Sequence, residues 1–180
     1  MAAFTDHLHF SISDSVFFKP ADEIEVKLII NSLNNSCSKG HDNCAASTVK
    51  DCMDELSTPL SKIFNKSMQD GVVPDDLKIA KIIPVYKSDD KKTISNYRPI
   101  SVLPAFSKIL ERLVYNRLLD FINKHELLSD SQYGFRQKIS TSMALIDLVD
   151  QISMSMENKK NTIGIFLDLA QAFDTVNHNI

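Results

Sequence analysis

Apolar and polar positions recur with two different periods along this chain of 180 residues. In the first third the period is helical. The stretch KPADEIEVKLIINSL has Pro20 near its start, acids in its first turn, and Ile24, Leu28 and a following isoleucine at helical spacing. It stops before the polar loop NNSCSKGHDN. A second helical piece is predicted from about Ala45 to Glu55. A third is predicted from Ser57, a suitable N-cap with Pro59 in the first turn, through LSKIFNKSMQ to a natural stop at Gly71.

The period then shortens. In LKIAKIIPVYK, β-branched residues alternate with Lys78, Ala80 and Lys81, which predicts a strand broken or bent at Pro84. KSDDKKTISN reads as a charged turn and YRPISVL as the returning strand of a hairpin. From Pro104 the helical period resumes in AFSKILERLVYNRLLDFINKH, with Ile109, Leu113, Leu118 and Phe121 as its stripe and Arg112, Arg117 and Lys124 off it. LLSDSQYGFRQKIS is loop-like around Gly134, and TSMALIDLVDQISMSMENK is an amphipathic helix. NTIGIFLDL reads as a short inner strand. The sum is an α+β, helix-rich chain with three expected divisions: a helical segment 1–77, a section 78–160 built on the hairpin, and a final strand and turn, 161–180. An inner strand needs neighbours on both sides, and the other strand candidates lie in the hairpin, so the domain is expected to be incomplete.

Composition adds little to this picture. An apolar fraction of 43% and a charged fraction of 24% are ordinary for a soluble globular protein. MAAFTDHLHF has neither a basic n-region nor a long apolar h-region, so no signal peptide is read. No apolar run approaches the roughly 18 residues of a membrane helix. The expected location is intracellular, nucleus and cytoplasm both being compatible. Cys37, Cys44 and Cys52 lie in one short stretch with His41 between the first two. Zinc is one reading, but there is no C-x-x-C pair, and free thiols in a reducing compartment are favoured. His7 and His9 make an equally weak case for a metal.

Charge changes the picture more. The net charge of −3 conceals a segregation. Residues 1–77 carry six Lys/Arg against twelve Asp/Glu, residues 78–138 twelve against six, and residues 139–180 two against five. The balances are −6, +6 and −3. A basic middle between acidic flanks has the form of a polyanion footprint, although on charge alone a solvated mixed-charge surface is the simpler reading. At the far end, FLDLAQAFD places Asp168 after an apolar run, with Phe173 and Asp174 following. Asp168 is either a metal ligand or the polar end of a strand.

Four blocks decide among these alternatives. In order they are AKIIPVYK, NYRPISVLPAFSKILERLVYNRL, LLSDSQYGFRQKISTSMAL and FLDLAQAFDTVNH. Together they resemble the reverse transcriptase domain of non-LTR, LINE-type retrotransposons, and among them the jockey-like group. PLSKIFNKSMQDGVVPDDLK resembles the segment those elements carry just before the fingers. A D-x₅-D spacing alone is common, whereas four blocks in family order are specific. The resemblance implies an RNA-directed DNA polymerase with a right-hand fold, of which this chain would hold the fingers and the first palm strand. It also implies Mg²⁺ as cofactor, with Mn²⁺ as a substitute. The implied partners are an RNA template, a DNA primer and dNTPs, with no membrane.

The same resemblance assigns roles by position. Asp168 matches the first catalytic aspartate and metal ligand, and the carbonyl of Leu169 a further ligand. The backbone N–H groups of Gln171 and Ala172 would meet the triphosphate, as a turn or helix start readily does. Phe173 matches the ring that excludes a 2′-hydroxyl, with core packing as its alternative. Asp174 is read as structural. Arg98 in NYRPIS and Arg136 in QYGFR are candidates for triphosphate or template contacts, because a guanidinium grips phosphate as a bidentate fork. For Arg98, an intradomain pairing is the competing reading. Lys87 is placed with the nucleotide. Lys81, Lys91, Lys92 and Tyr133 are placed with nucleic acid, core packing being the alternative for Tyr133 and Phe135. Arg112 and Arg117 are expected to be solvated or intradomain.

The sequence departs from the family in having no Y-x-D-D motif. The expectation is therefore a fragment ending after the first palm motif, inactive alone. The alternative is a non-catalytic RNA-binding remnant.

Overall fold

The computed structural model describes residues 14–35 and 39–168, and it forms two compact units, one ending at Leu127 and the other beginning at Leu128.

The first unit is built on helices. Asp22 caps helix α1 (Glu23–Ser32), its carboxylate accepting the Glu25 N–H at 2.7 Å, and Glu23 and Glu25 lie in the first turn where the helix dipole favours acids. Its buried face is Val26, Ile29 and Ile30. Ile24 and Leu28 do share a stripe, but it points outward, the two being 70% and 65% exposed. At roughly 100° per residue, Ile24 lies about 200° from Val26, so one apolar stripe can be buried only by exposing the other.

Helix α2 (Ala46–Asp51) is followed at once by α3 (Met53–Asp70), which begins before Ser57 and carries Pro59 inside it. Ser57 is not a cap. It is fully buried, and its hydroxyl donates to the Asp54 carbonyl at 3.2 Å. An interior proline costs a helix about 3 kcal/mol, and burial of Leu60 and Phe64, the first next to it and the second little more than a turn further on, offsets it. Gly71 ends α3 as expected, in the left-handed region at φ 66°.

After the short helix α4 (Asp75–Lys78) the hairpin appears where the sequence puts it. Strand β1 (Lys81–Tyr86) pairs antiparallel with β2 (Tyr97–Val102). β1 runs through Pro84 without a break. Pro84 faces Pro99, and the Lys87 N–H donates to the Asn96 carbonyl at 2.8 Å. Counting inward by twos from that bonded pair puts both prolines at a non-hydrogen-bonded position, where neither ladder bond is lost.

Helix α5 (Ala105–Lys124) brings Ile109, Leu110 and Leu113 onto Val26, Ile30, Val49, Leu60 and Phe64 to close the core. Arg117 is on this buried side, not off it. It is 4% exposed, and its guanidinium forks onto the Glu25 carboxylate (Nη2 at 2.7 Å) while Nε and Nη2 each lie 3.2 Å from the Lys19 carbonyl. The intradomain expectation for this arginine holds. Asn65 ties the same N-terminal segment to α3, accepting the Ala21 N–H at 2.7 Å and donating to its carbonyl at 2.9 Å. Gly40 lets the loop before α2 pass the start of α5: a Cβ there would sit 2.7 Å from the Pro104 nitrogen.

The second unit holds a loop and helix α6 (Thr141–Glu157), capped by Ser140. Residues 161–168 were expected to form an inner strand. They lie in no ladder, and all are exposed. Among the described residues β1 and β2 pair only with each other, so nothing supplies the neighbours that such a strand requires.

Candidate nucleic-acid and nucleotide site

The hairpin sorts its residues by register. Residues paired across an antiparallel ladder share a face, and faces alternate along the strand. One face therefore carries Lys81, Ile83, Val85, Arg98 and Ile100, with Lys87 continuing it. The other carries Ile82, Pro84, Pro99, Tyr86, Tyr97 and Ser101, and no charge. Three of the predicted cationic contacts, Lys81, Lys87 and Arg98, thus fall on one face by alternation alone. All three are exposed, and among the described residues no carboxylate pairs with them.

Lys91 and Lys92 occupy the turn, which is held from both sides. The Tyr86 hydroxyl donates to the Asp89 carbonyl at 2.5 Å and the Tyr97 hydroxyl to the Lys91 carbonyl at 2.8 Å. Asn96 Nδ2 donates to the Asp90 carbonyl at 2.9 Å, and the Asp90 carboxylate accepts the Lys92 N–H at 3.0 Å. The two tyrosine rings meet edge to face, 5.7 Å between centroids, and the Lys91 ammonium lies 5.5 Å from the centre of the Tyr86 ring. Sequence reasoning did not single out Tyr86 or Tyr97. Their signal was present in KIIPVY and NYRPIS: two tyrosines flanking one turn symmetrically.

In the second unit, Arg136 is half-buried and donates from Nη1 to the Ser129 carbonyl at 2.9 Å. It thereby holds its own loop closed. Tyr133 donates its hydroxyl to the Asp147 carboxylate of α6, and this bond pushes the phenol's pKa up. Phe135 is 94% exposed, with its backbone in the left-handed region at φ 61°. Phe135 is therefore not part of the core of the described residues, and Tyr133 is a loop-to-helix tether.

Asp168 is exposed. Its hard carboxylate oxygens suit Mg²⁺ or Mn²⁺, but no group of three or more His, Cys, Asp or Glu among the described residues is arranged to hold a metal. Asp168 fits one position of such a site and does not make the site. Leu169, Gln171, Ala172, Phe173 and Asp174 lie outside the described residues, as do Cys37, His7 and His9. Cys44 and Cys52 are free thiols, burial pushing the Cys44 pKa up. His41 Nδ1 lies 3.1 Å from the Ile79 carbonyl. No described helix is long and apolar enough to cross a membrane.

Comparison with known proteins gives these features a family. The sequence pattern of the family described as "Reverse transcriptase (RNA-dependent DNA polymerase)" matches residues 87–180. The chain belongs to that family. It is 37% identical over 155 residues to the RNA-directed DNA polymerase from mobile element jockey of Drosophila melanogaster, covering 86% of this chain and 17% of that protein. To the probable RNA-directed DNA polymerase from transposon BS of the same organism it is 33% identical over 175 residues, 97% of this chain and 19% of that protein. The jockey polymerase of Drosophila funebris is 32% identical over 163 residues, 88% of this chain and 18% of that protein. The resemblance to jockey-like, non-LTR elements is borne out. The chain spans less than a fifth of the length of these curated relatives.

Proposed function

We propose that this chain is part of the RNA-directed DNA polymerase of a jockey-like, non-LTR retrotransposon, with residues 78–160 as fingers and 161–180 as the start of the palm of a right-hand fold. The observation that carries this reading is the family match over residues 87–180, in which FLDLAQAFD stands in order after the blocks that begin at Asn96 and Leu127. The cation-bearing face of the hairpin supports it.

The reaction is template-directed phosphoryl transfer from a dNTP to a primer 3′-hydroxyl. Bound Mg²⁺, two ions in the full site, would neutralise charge on the attacking and leaving oxygens. Asp168 would ligate the metal through its carboxylate and Leu169 through its carbonyl. Gln171 and Ala172 would offer N–H groups to the triphosphate, and Phe173 would stand where a ribose 2′-hydroxyl needs room. Arg98 would fork onto a phosphate from the same hairpin face as Lys81 and Lys87, with RNA template and primer running past the basic section.

Two measurements test this. In primer extension, the 180-residue chain makes no DNA, because its sequence holds no Y-x-D-D carboxylates to complete the metal site with Asp168. Template-dependent synthesis would overturn that part. In anisotropy titrations, the chain binds single-stranded RNA weakly and salt-sensitively. Reversing Lys87, Lys91 and Lys92 to glutamate should reduce the log–log salt slope by roughly two. An unchanged slope removes the hairpin from the RNA footprint.

A further inference from the structure

Two prolines stand at matching points of the hairpin, and the register says what they remove. The Lys87 N–H bonds to Asn96 across the ladder, so Lys81↔Val102, Ile83↔Ile100 and Val85↔Arg98 are the pairs that exchange hydrogen bonds between β1 and β2. The alternate residues turn their backbone polar groups outward: Ile82, Pro84 and Tyr86 on β1, and Tyr97, Pro99 and Ser101 on β2. A proline, which has no N–H, fills the middle outward position of both edges. On β2 a further donor is occupied, because the Tyr97 N–H reaches back to the Ile94 carbonyl.

Without those prolines the edges would be open to pairing. Among the described residues neither strand has a second neighbour, and every residue of β1 is exposed. KIIPVY is rich in strand-forming side chains, and Ile82, Ile83 and Val85 all show apolar surface to solvent. An exposed apolar edge is a template for another chain, whose backbone bonds to its outward N–H and C=O groups at every second residue. With Pro84 in the middle, the donors left on β1 are Ile82 and Tyr86, about 14 Å apart at the usual rise of a strand. An added strand would lose its central bond and leave a carbonyl unpaired against the proline ring.

We propose that Pro84 and Pro99 are edge guards, which keep a strand of a second copy of this chain from joining the hairpin on either side. A second copy is the partner to exclude, because it brings the same apolar segment for like-on-like pairing. One guard would not serve. A two-stranded ribbon has two edges, and the prolines sit opposite each other in the register, one on each. So guarded, the hairpin stays two-stranded with both faces open, including the one that bears Lys81, Lys87 and Arg98. The inference concerns backbone donors, and it holds whether or not the hairpin meets nucleic acid.

The test uses the full chain without nucleic acid, in salt high enough to screen Lys81 and Lys87. Pro84→Val and Pro84→Ala each return the missing N–H to β1. Both should keep the helical circular dichroism of wild type, sediment as larger species than wild type, and gain the infrared band of intermolecular strands. Wild type should lack that band. Pro99→Val should assemble less than Pro84→Val, because the Tyr97 N–H on that edge stays occupied. Hydrogen exchange should slow at the Ile82 and Tyr86 amides of the assembled Pro84 variants, since these are the other outward donors of the edge. Unchanged sedimentation in both Pro84 variants overturns the proposal. Assembly that leaves those two amides exchanging as in wild type runs through some other surface and overturns it as well. If wild type itself gives the intermolecular band, the edges are open and there is no guard. Loss of helical signal in both Pro84 variants would show the proline holding its own strand instead, and the proposal would be wrong.

Discussion

The two units of this protein use apolar residues in opposite ways. In residues 14–127, Val26, Ile30, Phe64, Ile109 and Leu113 are almost wholly buried, and α1 packs against both α3 and α5 in the core they form. In residues 128–168 no described residue is buried, and α6 shows Leu145, Ile146, Leu148 and Val149 to solvent. The family pattern begins at residue 87, so it omits α1 and α3, which build much of the core, and includes all of residues 128–168, where no described residue is buried. The lesson is that a motif record and a stability record need not coincide. Chemistry selects residue types at fixed spacing, whereas a core accepts any apolar set of the right volume.

This contrast can be broken by substitution. The largest effect is expected at Phe64, fully buried in the core that α3 shares with α1. Phe64→Ala should cost about 3–5 kcal/mol in urea unfolding, while Leu145→Ala on the exposed face of α6 should stay within about 0.5 kcal/mol. If the α6 substitution destabilises as much as the core one, α6 is covered in solution and the contrast between the units is false.

Next comes Arg117. Arg117→Ala strands the Glu25 carboxylate and the Lys19 carbonyl, and it should lower the unfolding midpoint by the equivalent of about 3 kcal/mol. Because Glu25 keeps partial access to water, the effect should fall below that of Phe64→Ala. A negligible shift would mean that the segment before α1 is not built into the first unit.

The smallest effect belongs to the second unit. Tyr133 donates to Asp147, which holds its pKa above the ordinary tyrosine value. A raised folded-state pKa means that the tether's contribution is fully present below the ordinary value and is lost as pH rises through the folded one. Absorbance titration at alkaline pH should show one tyrosine ionising late, and Asp147→Asn should bring it back among the others. Simultaneous ionisation in the parent protein would remove the tether.

Much of the fold was legible beforehand. The hairpin, α1, α5 and α6 fall where periodicity puts them, and Gly71 ends α3 as its residue type requires. Local rules failed where packing outweighed them. Ser57 and Pro59 look like a helix start, yet α3 begins at Met53, because its first turns are carried by the core that Leu60 and Phe64 enter. Ile24 and Leu28 look like the inner stripe of α1, yet Val26, Ile29 and Ile30 fill it. NTIGIFLDL has a strand's composition and no ladder.

By itself, then, the sequence determined the family and the candidate chemistry. Four ordered blocks and a segregated charge are properties of residue identity and spacing, and they need no contacts to be read. Only the tertiary structure decided which apolar stripe of α1 faces in. It alone showed that Arg117 is a buried strut, that the pairing register sets Arg98 on the face Lys81 and Lys87 share by alternation, and that Tyr86 and Tyr97 brace the turn. Those outcomes depend on which surfaces meet, and burial is settled by neighbours distant in the chain.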